Sequence, residues 1–176
     1  MSGNLVYRRA TSDDALCLSV LATQVFLDTY ATNGINLDLA KEVSAVLSRA
    51  SFLARLESAN VELFVAEHDG YLTGFLDLNL DSHCLDSKVA GMEILRLYVQ
   101  QAFQRRKVGR TFMALAEERC RTAGHETLWL TTWVGNTAAR AFYQALGYQE
   151  VGVTQYIIEG QAYENRVLAK RVHQAF

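Results

Sequence analysis

The sequence predicts an α/β (α+β) fold, a mixed sheet with helices on both faces. Three observations predict it. The hydrophobic pattern switches between a period near 3.6 and a period of 2, giving the order β-α-α-β-β-β-α-β-α-β-β. His68-Asp69-Gly70 and Glu159-Gly160-Gln161 sit between apolar runs, as hairpin turns do. No repeat, low-complexity tract or Gly/Ser/Pro linker divides the 176 residues, so 1–176 reads as one domain.

Residues 5–9 form the first short strand. Thr11-Ser12-Asp13-Asp14 reads as a capping box opening a helix, with Leu16, Val20, Leu21, Phe26 and Leu27 at helical spacing as far as Tyr30. Asn33-Gly34 breaks that helix. Residues 37–56 are helical again, in one or two pieces. Ser51 is placed to cap the second, and Val43, Val46, Leu47, Leu53 and Leu56 form the apolar stripe. Strands follow at 61–67, 71–80 and 92–99. Val108, Phe112, Leu115, Ala116 and Cys120 mark a helix over 108–123, and Gly124 is its C-terminal cap. A strand at 127–134, a helix from Asn136 to Gly147, and strands at 148–158 and 163–169 complete the chain.

Composition narrows the function. Half the residues are hydrophobic, enough for a sizeable core, and the formal charge of −2 argues against a general nucleic-acid binder. No uncharged apolar run approaches the roughly 18 residues of a membrane span. Residues 1–9 lack the apolar core of a signal peptide, so the cytoplasm is the expected compartment. Cys17, Cys84 and Cys120 are odd in number and widely spaced, and His68, His83, His125 and His173 are scattered. Neither a disulfide framework nor a metal site is expected. Cys17 and Cys120 read as core residues. His83 and Cys84 are adjacent on a strand, where neighbours point to opposite faces, so they do not pair as base and nucleophile. No G-x-S-x-G marks a serine hydrolase.

Two segments carry chemistry. In the first, L-R-L-Y-V runs into Gln104-Arg105-Arg106-Lys107-Val108-Gly109-Arg110 and then a helix. Unpaired N–H groups at a helix N-terminus, the helix dipole and four basic side chains make an anion site, and Gly109 admits a close diphosphate. A solvated basic turn is the alternative. In the second, Asn136 caps a helix in which Ala138, Ala141, Phe142, Ala145 and Leu146 can pack inward. Tyr143 then lies at the edge of that stripe, about 100° from Phe142. By itself this segment is an amphipathic helix.

Together the two segments resemble the GCN5-related N-acetyltransferase superfamily. Gln104 to Gly109 is similar to its acetyl-coenzyme A loop, Q/R-x-x-G-x-G/A. Asn136, Ala139, Phe142, Tyr143, Gly147 and Tyr148 fit its N-x-x-A-x-x-F-Y-x-x-x-G-Y/F pattern. F-L-D-T-Y at 26–30, the 64–80 hairpin, R-L-Y-V, L-W-L-T-T-W and the 156–169 tail look like the polyamine acetyltransferase branch related to PaiA. Two positions depart from the pattern. Lys107 stands where the family has its first loop glycine, and Leu95 where relatives often carry glutamate. A lysine disfavours positive φ, which holds its amide back from the phosphates, while its charge compensates.

The resemblance implies a seven-stranded, mostly antiparallel mixed sheet and direct acetyl transfer from acetyl-coenzyme A, without a metal, to an amine. It implies that Gln104, Arg105, Arg106, Lys107, Val108, Gly109 and Arg110 hold the diphosphate. Amides around Leu97, Tyr98 and Val99 would meet the thioester oxyanion and pantetheine, with Asn136, Ala139 and Phe142 further along the cofactor. Tyr143 corresponds to the donor that protonates the leaving thiolate, and an ordinary phenol pKa of about 10 keeps such a donor loaded. Glu93 is the favoured base, acting through water, against the alternative of a surface carboxylate. Asp28, Tyr30 and Asp77 compete for that role or contact a cationic substrate. The expected partner is a small-molecule amine, which the branch resemblance implies is a polyamine; the protein is expected to be a monomer or homodimer that binds neither nucleic acid nor membrane. Acetylation of a protein N-terminus or lysine, or acetyl-coenzyme A sensing without catalysis, are the alternatives.

Overall fold

The period-2 runs become strands and the 3.6-period runs become helices in a computed structural model, which describes residues 5–172. The strands are β1 (Leu5–Arg9), β2 (Val61–His68), β3 (Tyr71–Cys84), β4 (Val89–Val99), β5 (Thr127–Trp133), β6 (Gln149–Ile158) and β7 (Gln161–Arg171). The helices are α1 (Ala15–Tyr30), α2 (Leu37–Ala45), α3 (Arg49–Glu57), α4 (Val108–Thr122) and α5 (Thr137–Ala145). The strands form one seven-stranded sheet in the order β1-β2-β3-β4-β5-β7-β6. β1 pairs antiparallel with β2, as β7 does with both β5 and β6, whereas β4 and β5 are parallel. The mixed sheet expected from the sequence is present.

The chain condenses as two compact units. One holds the described residues up to Asp77 together with Arg96–Met113; the other holds Leu78–Leu95 and the described residues from Ala114 onward. The boundaries cut β3, β4 and α4.

In the first unit, Ala15, Leu18, Leu21, Ala22 and Phe26 of α1 join Leu39, Leu47 and Phe52 against Leu63, Val65 and Phe75. The Phe52 and Phe75 rings meet edge to face, with centroids 5.7 Å apart. Truncating a buried phenylalanine of this kind costs about 3–5 kcal/mol. The buried stripe of α1 starts one residue earlier than its sequence pattern suggested. Leu16 and Val20 are exposed, and so is Cys17, which corrects its reading as a core residue. One residue is 100° of helix, enough to turn an apolar side chain outward. The Thr11–Asp14 capping box forms as expected around a 3₁₀ turn, Ser12–Asp14, that leads into α1. Asp14 also takes two bonds from Arg8, at 2.7 and 2.8 Å, and Arg8 reaches Glu67 at 2.6 Å. The Arg8 bonds are the main reason its carboxyl is held below the usual range. The cap of α3 is Ser48, whose hydroxyl accepts from the Ser51 amide at 3.1 Å. Ser51 lies in the first turn and is not itself the cap.

In the second unit, the β4–β5 ladder joins Met92–Ile94 to Leu128–Leu130. Cys84, Trp129 and Val167 are buried together, while His83 is exposed. Gly91 sits at φ 142°, and a Cβ there would lie 2.3 Å from the Thr127 carbonyl oxygen, so only glycine lets β4 approach β5 here. β3 and β4 are longer than their sequence pattern suggested, because the polar run 81–91 continues the hairpin. No helix among the described residues is long and apolar enough to cross a membrane. No three His, Cys, Asp or Glu side chains among them gather as a metal site; His173 lies outside the described residues.

Candidate active site

The first unit carries the basic loop. After β4, a 3₁₀ turn at Gln101–Phe103 leads to exposed Gln104, Arg105, Arg106 and Lys107, and buried Val108 anchors the start of α4. The Gln104 side chain donates to the Val99 carbonyl at 3.2 Å. The Arg106 guanidinium lies 5.1 Å from the Phe103 ring centroid. Thr111 donates its amide to the Lys107 carbonyl at 3.0 Å, the first bond of the helix. Arg105 and Lys107 stand at φ 59° and 66°. Lys107 therefore adopts the left-handed conformation that a lysine disfavours, correcting the expectation that it would not. The helix start and its buried anchor override the local preference. The result is an exposed turn with three cations, plus exposed Arg110, at the head of a 15-residue helix. Orphan amides and dipole favour an anion there.

At the end of β4, Leu97, Tyr98 and Val99 are half-buried. Gly74 lets β3 come close: a Cβ there would sit 2.7 Å from the Tyr98 carbonyl. Asp28 is exposed on α1, and half-buried Tyr30 stacks on Phe26 with ring centroids 4.7 Å apart. Burial, with the nearby Glu42 charge, pushes the Tyr30 phenol up.

Asp77 is not placed to meet a cationic substrate, which corrects that expectation. It is fully buried. Oδ1 accepts from Arg55 Nε at 3.0 Å and also from its Nη2, and Oδ2 accepts from Arg96 Nη1 at 2.8 Å. Neither arginine stood out in the sequence, because the contacts span 22 and 19 positions and no local pattern links them.

The second unit holds Glu93, Asn136 and Tyr143. Glu93, half-buried on β4, accepts from Asn79 Nδ2 at 2.8 Å and from Ser82 Oγ at 2.7 Å, both through Oε2. These two donors hold the carboxylate in one orientation. Asn136 caps α5 by accepting from the Ala139 amide at 3.1 Å. That bond uses one lone pair of the side-chain oxygen and neither of the side chain's NH₂ donors. Ala138, Ala141 and Ala145 are exposed, contrary to the expected stripe. Tyr143 is the residue that α5 buries, at 8% exposure. It packs on Phe142 and on Tyr148, with centroids at 5.2 and 6.1 Å. Tyr148 in turn lies under Lys170, whose ammonium is 5.6 Å from the ring centroid and 2.8 Å from Glu117. Burial first, then the Glu117 charge, drives the Tyr148 phenol far up, so it stays protonated. Cys120 is likewise pushed up, to about 11, mainly by burial, and reads as an inert core thiol. Glu117 and Lys170 stand 53 positions apart and carried no sequence signal.

Residues 29–148 match the acetyltransferase (GNAT) family. An uncharacterized N-acetyltransferase in the pepI 3′ region of Lactobacillus delbrueckii subsp. lactis is 27% identical over 128 residues, covering 72% of this chain and 74% of that protein. Aminoalkylphosphonate N-acetyltransferase of Salmonella typhimurium is 31% identical over 112 residues, 64% of this chain and 72% of that one. Among solved structures, PaiA N-acetyltransferase from Thermoplasma acidophilum, in complex with coenzyme A, superposes with a TM-score of 0.75 at 20% identity, covering 96% of this chain and 99% of that chain.

Proposed function

The chain belongs to the acetyltransferase (GNAT) family, and from that premise we propose that it transfers acetyl from acetyl-coenzyme A directly to a primary amine of a small molecule. The observation that carries this reading is the exposed turn Gln104–Lys107 with its cations at the head of α4. That is what a diphosphate needs. Val108, Gly109 and Arg110 continue the same cradle. β4 continues past Ile94 to Val99. Amides at Leu97, Tyr98 and Val99 then serve the thioester oxygen and the pantetheine amides. Asn136, through its NH₂, Ala139 and Phe142 complete the contacts.

The amine nitrogen attacks the thioester carbonyl, forming the C–N bond as the carbonyl oxygen takes negative charge. Collapse breaks the C–S bond, Tyr143 gives its proton to the departing thiolate, and the remaining extra proton on the adduct nitrogen passes back to the Tyr143 oxygen as the neutral amide forms. An alkylammonium of pKa near 10.4 must first lose a proton. Glu93, steadied by Asn79 and Ser82, takes it through water. Aromatic packing on Phe142 and Tyr148 fixes the direction of the Tyr143 ring.

A small-molecule acceptor draws support from the aminoalkylphosphonate relative. A polyamine acceptor loses one of its three expected contacts, because Asp77 is taken by two arginines; Asp28 and Tyr30 remain as substrate contacts on α1. In this reading the whole chain works as one N-acetyltransferase domain. It acts in the cytoplasm, in keeping with three free cysteines.

Tyr143→Phe removes one oxygen and keeps the packing. Single-turnover transfer should slow by about 10²–10⁴-fold, while calorimetry reads a coenzyme A affinity like the parent's. Parent-rate transfer across the pH range would remove Tyr143 from the acid role.

A further inference from the structure

We infer that Phe103 is a positioning residue that holds Arg106 ready for the phosphates of the cofactor, and that coenzyme A affinity depends on Arg106 more than on its neighbours; the inference rests on the acetyl-coenzyme A reading above. The turn and the first residues of α4 carry four cations, Arg105, Arg106, Lys107 and Arg110, all exposed. Among the described residues, Arg106 is the one of the four whose charged group has an ion pair, hydrogen bond or ring contact. That contact is with Phe103: the guanidinium carbon lies over the ring, 5.1 Å from its centroid. Phe103 is itself anchored. Half-buried in the 3₁₀ turn Gln101–Phe103, it packs on the His68 ring with centroids 5.5 Å apart. His68 in turn stands at the end of β2, paired with Leu5 in the β1–β2 ladder. The sheet, His68, Phe103 and Arg106 therefore make one chain of contacts, and an exposed guanidinium takes its order from the sheet.

The kind of contact matters. A carboxylate partner fixes an arginine by spending its N–H donors and offsetting its charge, as Asp14 and Glu67 do for Arg8. An aromatic ring attracts a guanidinium through its quadrupole and brings no negative charge. Arg106 is thus held while its charge and its N–H fork stay directed to an incoming anion, and a phosphate matches that fork in bidentate fashion. Immobilising a long side chain on binding costs entropy. That cost is already met in part at Arg106, whereas Arg105, Lys107 and Arg110 have no such contact among the described residues. The ring therefore acts on the cofactor through the guanidinium and has no phosphate contact of its own.

The test is calorimetric titration of coenzyme A into the parent and its variants, with KM and kcat for acetyl-coenzyme A measured on an amine that the parent acetylates. Arg106→Gln should weaken coenzyme A by about tenfold or more, the loss of charge-assisted bonds. Arg105→Gln and Arg110→Gln should each cost about threefold or less, as screened surface charges do. Phe103→Leu keeps an apolar side chain and loses the quadrupole, so affinity should fall about two- to fivefold. KM for acetyl-coenzyme A should rise with it while kcat holds. Phe103→Tyr keeps the ring face and should bind like the parent. The double variant Phe103→Leu, Arg106→Gln should match Arg106→Gln alone, because the ring works through the guanidinium. Multiplied losses in the double variant would overturn the inference, as would a tyrosine variant as weak as the leucine one. Equal losses from Arg105→Gln, Arg106→Gln and Arg110→Gln would overturn it too, and these exposed positions give that reading even if Phe103→Leu fails to fold. In each of those cases coenzyme A binding stands. A parent that binds no coenzyme A would sink the inference and the acetyl-coenzyme A reading together.

Discussion

Lys107 occupies a backbone conformation in which glycine is the comfortable residue, with φ 66°. Its Cβ carries a penalty there that a glycine does not. Lys107→Gly should stabilise the protein by about 1 kcal/mol, with relief of strain outweighing the added freedom of the unfolded chain. The melting temperature should rise by about 2–4 °C for a chain of this size; a fall would mean that the lysine side chain contributes more than its strain costs. The residues that matter at this scale were unevenly legible. Tyr143 was identified from its place beside Phe142, but its burial was not. Alanine suits either side of a helix, so Ala138, Ala141 and Ala145 did not define a face, and the large tyrosine ring did. The Arg55–Asp77–Arg96 cluster was illegible, because nothing in a linear pattern says that three ionisable groups from α3, β3 and β4 will share a site.

Capping decides where α3 begins. Ser51 directly precedes the apolar pair Phe52-Leu53, which made it the expected cap, while Ser48 lies three residues earlier, before Arg49. The backbone settles it, since Ser48 is extended at φ −70°, ψ 156°, and its hydroxyl takes the Ser51 amide. Ser48→Ala should cost about 1 kcal/mol in urea denaturation, and Ser51→Ala much less. Comparable losses from both would mean the cap is shared. Helix and strand identities were legible because the period switches cleanly. Ends were not, as with β3 and β4, whose polar continuation to Cys84 and from Val89 carries no alternation of its own. The hairpin turns were legible: Asp69-Gly70 and Glu159-Gly160 all take positive φ, which the glycines and Asp69 tolerate and which Glu159 adopts beside its glycine.

For the whole molecule, ligand binding should be visible as stability. Acetyl-coenzyme A at about 100 times its Kd adds about 2.7 kcal/mol to a native state that alone binds it. Scanning calorimetry should then show a rise of roughly 5–10 °C. No shift at millimolar ligand would remove the Gln104–Arg110 cradle from the account. The element order was legible from periodicity. The strand order was not, because the placing of β7 between β5 and β6 depends on which faces bury best together, a property of the folded chain.

That placing has a consequence during synthesis. Translation delivers β5 and β6 before β7, the strand each pairs with. Until Gln161–Arg171 is available, both earlier strands carry open edges, and Trp129 and Cys84 lack Val167. Open edges and bare apolar surface attract other chains. A nascent chain paused near the Glu159-Gly160 turn is therefore the form of this protein most in need of a chaperone.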